Sequence, residues 1–201
     1  MTKSPVLYNA EISAGSLMLV ESRRIARLLL THPDRVTWFD TLKYDNILQK
    51  KSPATARRQA RLIRNRLETL DELGWQMVAD GEQEIALQIL LAAAIKHSRL
   101  LGDFMRDVVA GHLRRLEHTL SPANWDAFLA DCAQRDSIVG TWSPSTQAKL
   151  LQVVLRMLAE ARYLESTRNL QLTPPMLHPE VLRYLQARSE TAVLAAMELK
   201  Q

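Results

Sequence analysis

The chain has 201 residues, an apolar fraction of 47%, a charged fraction of 24% and a net charge of +4 at pH 7. That length and apolar content suffice for one substantial core or two small ones, and exclude a disordered chain. A single cysteine, Cys132, excludes an internal disulfide and a cysteine-based metal site, and fits a reducing, cytoplasmic setting.

Only six glycines occur, against abundant Leu, Ala, Gln, Glu and Arg. These residues lose least on entering a helix, so the expected class is mainly α. The opening Met1-Thr2-Lys3-Ser4-Pro5 lacks the apolar core of a signal peptide. The most apolar run, Ile85 to Ile95, is interrupted by Gln88 and ends at Lys96. Crossing a bilayer takes roughly 20 apolar residues, so this run predicts a buried core helix and no membrane partner.

Taken in order, Tyr8 to Thr31 mixes apolar and charged residues at helical spacing and predicts a long first helix, which His32-Pro33 ends. Asp34 is placed to cap a short second helix carrying Val36, Trp38, Phe39 and Leu42. Residues 44–49 predict about two further turns.

From Lys50 to Arg66 come seven basic residues and no acidic one, so the rest of a +4 chain sums to −3. The excess positive charge is therefore local. Ser52-Pro53 is a helix start: the Ser oxygen accepts from an early amide, and Pro at the first position gives up only an amide without a helical partner. Ala56, Ala60, Ile63, Leu67 and Leu70 then form an apolar face with Arg57, Arg61 and Arg64 beside it. The spacing predicts a helix to about Leu73, stopped by Gly74. With the short helices before it, this is a helix-turn-helix-like module. Residues 75–81 read as a linker, which divides the chain into a basic N-terminal helical domain, 1–80, and a C-terminal helical domain, 81–201.

The second domain opens with a helix apolar on all sides, expected to break at Gly102-Asp103. Ser121-Pro122 starts the next helix. Ser143-Pro144-Ser145-Thr146 followed by Lys149 then repeats the Ser52-Pro53-Ala54-Thr55 and Arg58 arrangement, predicting a second helix-turn-helix-like module. Two short alternating runs within residues 163–173 predict a β-hairpin wing with Arg168 at its tip. A last helix runs from Glu180 to about Leu199.

Most charge runs are solvated helix faces. Here no acidic residue interleaves, five of the seven charges are Arg, and the run sits at a capped start whose amides suit a phosphate. Nucleic-acid binding is the favoured reading, through Lys50, Lys51, Ser52, Thr55, Arg57, Arg58, Arg61 and Arg64. Ser143, Ser145, Thr146 and Lys149 are the matching contacts of the second module, where a purely structural cap accounts for the sequence equally well. With 5% aromatics, stacking on single strands is disfavoured relative to duplex contact. RNA binding and a protein–protein adaptor are the alternatives. His32, His97, His112, His118 and His178 are scattered, and neither a His-Glu-x-x-His pair, a Gly-rich phosphate loop nor a Gly-x-Ser-x-Gly turn occurs. No catalytic residue, metal, cofactor or small-molecule substrate is expected.

Asn46-x-Leu48-Gln49-x-x-Ser52-x-x-Thr55-Ala56-x-Arg58, Arg66-Leu67-x-x-Leu70, Gln88-x-Leu90-Leu91-Ala92-Ala93, Leu100-Leu101-x-Asp103-Phe104 and Ser143-x-Ser145-Thr146-x-x-Lys149 together resemble the BrxA family of bacteriophage exclusion (BREX) systems. The resemblance spans nearly the whole chain. It implies a small, helical, non-enzymatic component of phage defence that binds double-stranded DNA and meets other BREX proteins, with no catalytic motif to carry over.

Overall fold

A computed structural model describes residues 7–198, in which helices form every extended element. In chain order these are α1 (Leu19–Leu30), α2 (Arg35–Lys43), α3 (Pro53–Leu67), α4 (Glu72–Asp80), α5 (Gln83–His97), α6 (Arg99–Arg114), α7 (Pro122–Arg135), α8 (Pro144–Glu160), α9 (Pro179–Ala187) and α10 (Thr191–Met197). Short 3-10 turns occur at Glu11–Ala14 and Val139–Thr141. Met1–Pro5 and Leu199, the expected end of the last helix, lie outside the described residues.

Helix α5 organises the packing. Ile85 to Ile95 is buried without interruption, Gln88 included. A helix apolar all round has no solvent face, so it must be surrounded. It is: α1, α3, α4, α6, α9 and α10 all pack on it. Buried side chains from Tyr8 to Met197 form one contiguous cluster. The apolar run turns by 111° between α5 and α6, at Ser98, whose hydroxyl accepts from Leu101 N to cap α6. The break thus falls at Ser98, and Gly102 lies inside α6. No single helix among the described residues is long and apolar enough to cross a membrane.

Several sequence expectations shift for identifiable reasons. The first helix is shorter than expected, because Gly15 to Met18 interrupts it and Met18 takes a left-handed φ of 51°. Residues 44–52 are a connection without a helix: Asn46 (φ 46°) and Gln49 (φ 52°) are left-handed, and the Asn46 amide bonds both N and O of Lys50. Helix α3 stops at Leu67, and Asp71 caps α4, which covers most of the segment read as a linker. Gly74 is buried inside α4, where a Cβ would lie 2.5 Å from Tyr184 Oη. Its role is close approach between helices. The last helix is two, α9 and α10, parted where Ser189 is left-handed (φ 55°).

The wing also takes another form. Among the described residues there is no strand; Leu164 and Leu172 form one antiparallel bridge and Thr119 and Gln171 another. Backbone groups of residues 170–172 are shared among His118, Leu120 and Glu165, and Leu170 is left-handed (φ 52°). That sharing prevents a two-stranded ladder from growing.

Candidate nucleic-acid interface

Helix α3 begins as its sequence dictates: Ser52 Oγ accepts from Thr55 N at 3.4 Å, with Pro53 in the first turn. Ala56, Ala60, Ile63 and Leu67 are buried. The positive residues around this face are sorted by position into two groups.

The first group is tied to the fold. Lys50 Nζ bonds Glu21 Oε1 at 2.6 Å, and both side chains are largely covered. Burial raises the Glu21 pKa, but the Lys50 bond, a backbone bond and the nearby Arg24 prevail and hold the carboxyl below its usual range. Arg64 Nε bonds Glu68 at 2.6 Å, while its guanidinium sits 4.5 Å over the Trp38 ring. Arg66, the last residue of the basic run, is 3% exposed and donates to the carbonyls of Ser16 (2.6 Å) and Gly15 (2.9 Å). Burial pulls its guanidinium down to about 10, with Glu160 opposing. It remains charged at neutral pH and acts as an internal strut.

The second group is Lys51, Arg57, Arg58 and Arg61. All are exposed, and none has an ion pair or hydrogen bond among the described residues. A merely solvated helix face normally pairs its charges at i,i+4. Here only Arg64 does so. Between α2 and α3 lies a groove of about 580 Å³, floored by Trp38, Phe39 and Leu42 and walled by Arg57, Arg58, Arg61 and Arg64. Helix α2 leaves Val36, Phe39 and, just beyond it, Tyr44 exposed.

Helix α8 starts in the same way. Ser143 Oγ accepts from Thr146 N at 3.2 Å and lies 2.9 Å from the hydroxyls of Ser145 and Thr146. Lys149 is exposed and bonds only the neutral Gln152 Oε1, at 3.0 Å. The structure brings α3 and α8 to either side of the loop around Gly15. Arg66 holds the loop from one side, and Glu160 holds it from the other by accepting from Ser16 Oγ (2.7 Å) and Leu17 N (2.8 Å). Arg156 and Gln152 share the Lys149 face of α8, seven and three residues further on, as helical spacing requires.

Elsewhere, charge serves structure. Asp103 is buried against Tyr8 Oη (2.7 Å) and ion-paired with Arg106, Arg99 and Arg135. Cys132 is buried, and burial raises its thiol pKa. Among the described residues no group of His, Cys, Asp and Glu is arranged to hold a metal.

Known proteins resemble this chain along its whole length. A sequence model of the BrxA family matches residues 6–189. A BREX protein BrxA from Paramagnetospirillum magneticum is 41% identical over 192 residues, 96% of both chains. One from Escherichia coli is 34% identical over 201 residues, all of this chain and 94% of the other. The crystal structure of an uncharacterized protein from Magnetospirillum magneticum superposes with a TM-score of 0.90 at 38% identity, covering 96% of this chain and all of that one.

Proposed function

The chain belongs to the BrxA family of BREX phage-defence proteins, and from that premise we propose that it is a non-enzymatic, cytoplasmic component that binds double-stranded DNA through the exposed face of α3. The observation that carries this reading is the sorting of the basic run. Lys50, Arg64 and Arg66 are engaged within the fold, whereas Lys51, Arg57, Arg58 and Arg61 stand exposed without an acidic partner among the described residues. Unpaired arginines at a capped helix start suit phosphates, which accept their donors and release bound counterions. Ser52 and Thr55 fix the register of that start, and α2, the 44–52 connection and α3 act as the helix-turn-helix-like module. Readout is mainly of the backbone.

The test is Arg57→Glu, Arg58→Glu and Arg61→Glu together. These exposed side chains make no hydrogen bond or ion pair among the described residues, so the circular dichroism and melting temperature are expected to stay close to the parent's. Duplex affinity is expected to fall by at least about a hundredfold at moderate salt, as several phosphate contacts are lost. Unaltered binding sinks the proposal.

A second reading, an adaptor for another BREX protein, is favoured by one feature. Phe39 shares a groove with the arginines, and Val36 and Tyr44, on and just beyond the same helix, are exposed as well, a combination that suits an acidic protein segment with apolar anchors. It predicts little duplex affinity at physiological salt and a complex that survives nuclease treatment.

A further inference from the structure

We propose that the cleft between α3 and α8 is a phosphate site, and that it seats backbone phosphate of the same duplex that α3 contacts. The proposal rests on the DNA-binding reading above and extends it to the C-terminal half of the chain.

The cleft has a volume of about 210 Å³ and is floored by the loop from Ser13 to Met18. Arg58 enters from α3, and Lys149 and Arg156 from α8; among the described residues no carboxylate lines it. Three cations sharing one cleft repel one another, and an oxyanion placed among them removes that cost. None of the three is neutralised: Arg58 and Arg156 have no hydrogen bond or ion pair among the described residues, and Lys149 bonds only a neutral amide. Gln59 also lines the cleft from α3.

The placement is built by the fold. Arg66, near the C-terminal end of α3, and Glu160, at the C-terminal end of α8, both grip the Gly15–Leu17 loop. The two helices are therefore pinned at corresponding ends, and Arg58, Lys149 and Arg156 line the cleft between them. On α8, Ser145, Lys149, Gln152 and Arg156 follow at intervals of four, three and four, one helical face. Arg58 belongs at once to this cleft and to the α2–α3 groove, so the two positive surfaces are continuous. A ribose-phosphate backbone is a chain of such anions. Helix α8 thus becomes the second half of one binding face.

Two double variants separate this proposal from the reading it rests on: Lys149→Ala with Arg156→Ala, and Arg57→Ala with Arg61→Ala. All four side chains are exposed, so melting temperatures should match the parent. Affinity for a duplex is measured against salt. The α8 pair is expected to weaken binding about tenfold or more and to flatten the log-affinity slope by about 1 to 2, leaving one duplex per protein. If the α8 pair binds like the parent while the α3 pair is weakened, the cleft proposal fails and the α3 reading stands. If neither pair changes binding, both fail. Thermal protection by pyrophosphate that requires Lys149 and Arg156, with duplex binding unchanged in the α8 pair, would assign the cleft to a small phosphate ligand and overturn its role on DNA.

Discussion

Helices α3 and α8 begin with the same four-residue device and diverge from there. In each, a Ser caps the Thr three residues on, and Pro occupies the first turn. The cap fixes only where the helix starts; what the helix offers is set by the next three turns. Helix α3 presents exposed Arg57, Arg58 and Arg61, whereas α8 presents Lys149, Gln152 and Arg156 more thinly. Within α3 itself the same distinction recurs at shorter range. Arg61 is exposed while Arg66, five residues later, is buried and bonded to two carbonyls. Basic residues of one helix are not one property.

The sharpest way to break this comparison is to exchange the roles. Arg66→Ala removes a buried charge that satisfies two carbonyls and opposes Glu160, and is expected to cost about 3–5 kcal/mol of stability, read by urea denaturation. Arg61→Ala should leave stability within about 0.5 kcal/mol and act on duplex binding alone. Equal stability losses would mean that the exposed and buried positions are not distinct.

Next come the caps. Ser52→Ala and Ser143→Ala should each lower stability by about 1 kcal/mol, since each removes one amide acceptor. Duplex affinity is expected to suffer more at Ser52, where the cap sets the start of the helix that carries the exposed arginines. A larger binding loss at Ser143 would reverse the ranking of the two helices.

The smallest effect concerns the connection before α3, which Lys50–Glu21 pins to α1. The Glu21 carboxyl is held below its usual range, so its stabilisation is full above the unfolded-state value of about 4.3 and is lost as pH falls through the lower folded-state value. Glu21→Gln should cost less than about 1 kcal/mol at pH 7, and the difference from the parent should vanish in acid. A difference that persists there would place the effect in packing rather than charge.

What was legible from sequence was what is local. Asp34, Ser52, Ser121 and Ser143 announce their helices because a cap and its amide lie three residues apart. The shared exposed side of Arg57, Arg58 and Arg61 follows from helical spacing against Ala56, Ala60 and Ile63. What was not legible depends on distant partners. Gly74 looked like a stop signal because nothing nearby reveals Tyr184, whose hydroxyl occupies the place of a Cβ. Ser98 breaks a run whose uniform apolarity carries no helical phase. Arg66 reads as one more surface charge until Gly15 and Ser16 are brought beneath it. The α3–α8 cleft is floored by a loop that Arg66 and Glu160 bond from opposite sides, contacts no local pattern encodes.

The proposal that the exposed basic face of α3 grips a duplex is tested most directly by one salt titration. Duplex DNA, single-stranded DNA and structured RNA are compared between about 50 and 200 mM salt. If about four to six phosphates are engaged, duplex DNA binds most tightly and log affinity falls with log salt at a slope of roughly −4 to −5. A slope near zero, or equal affinity for all three, would contradict it.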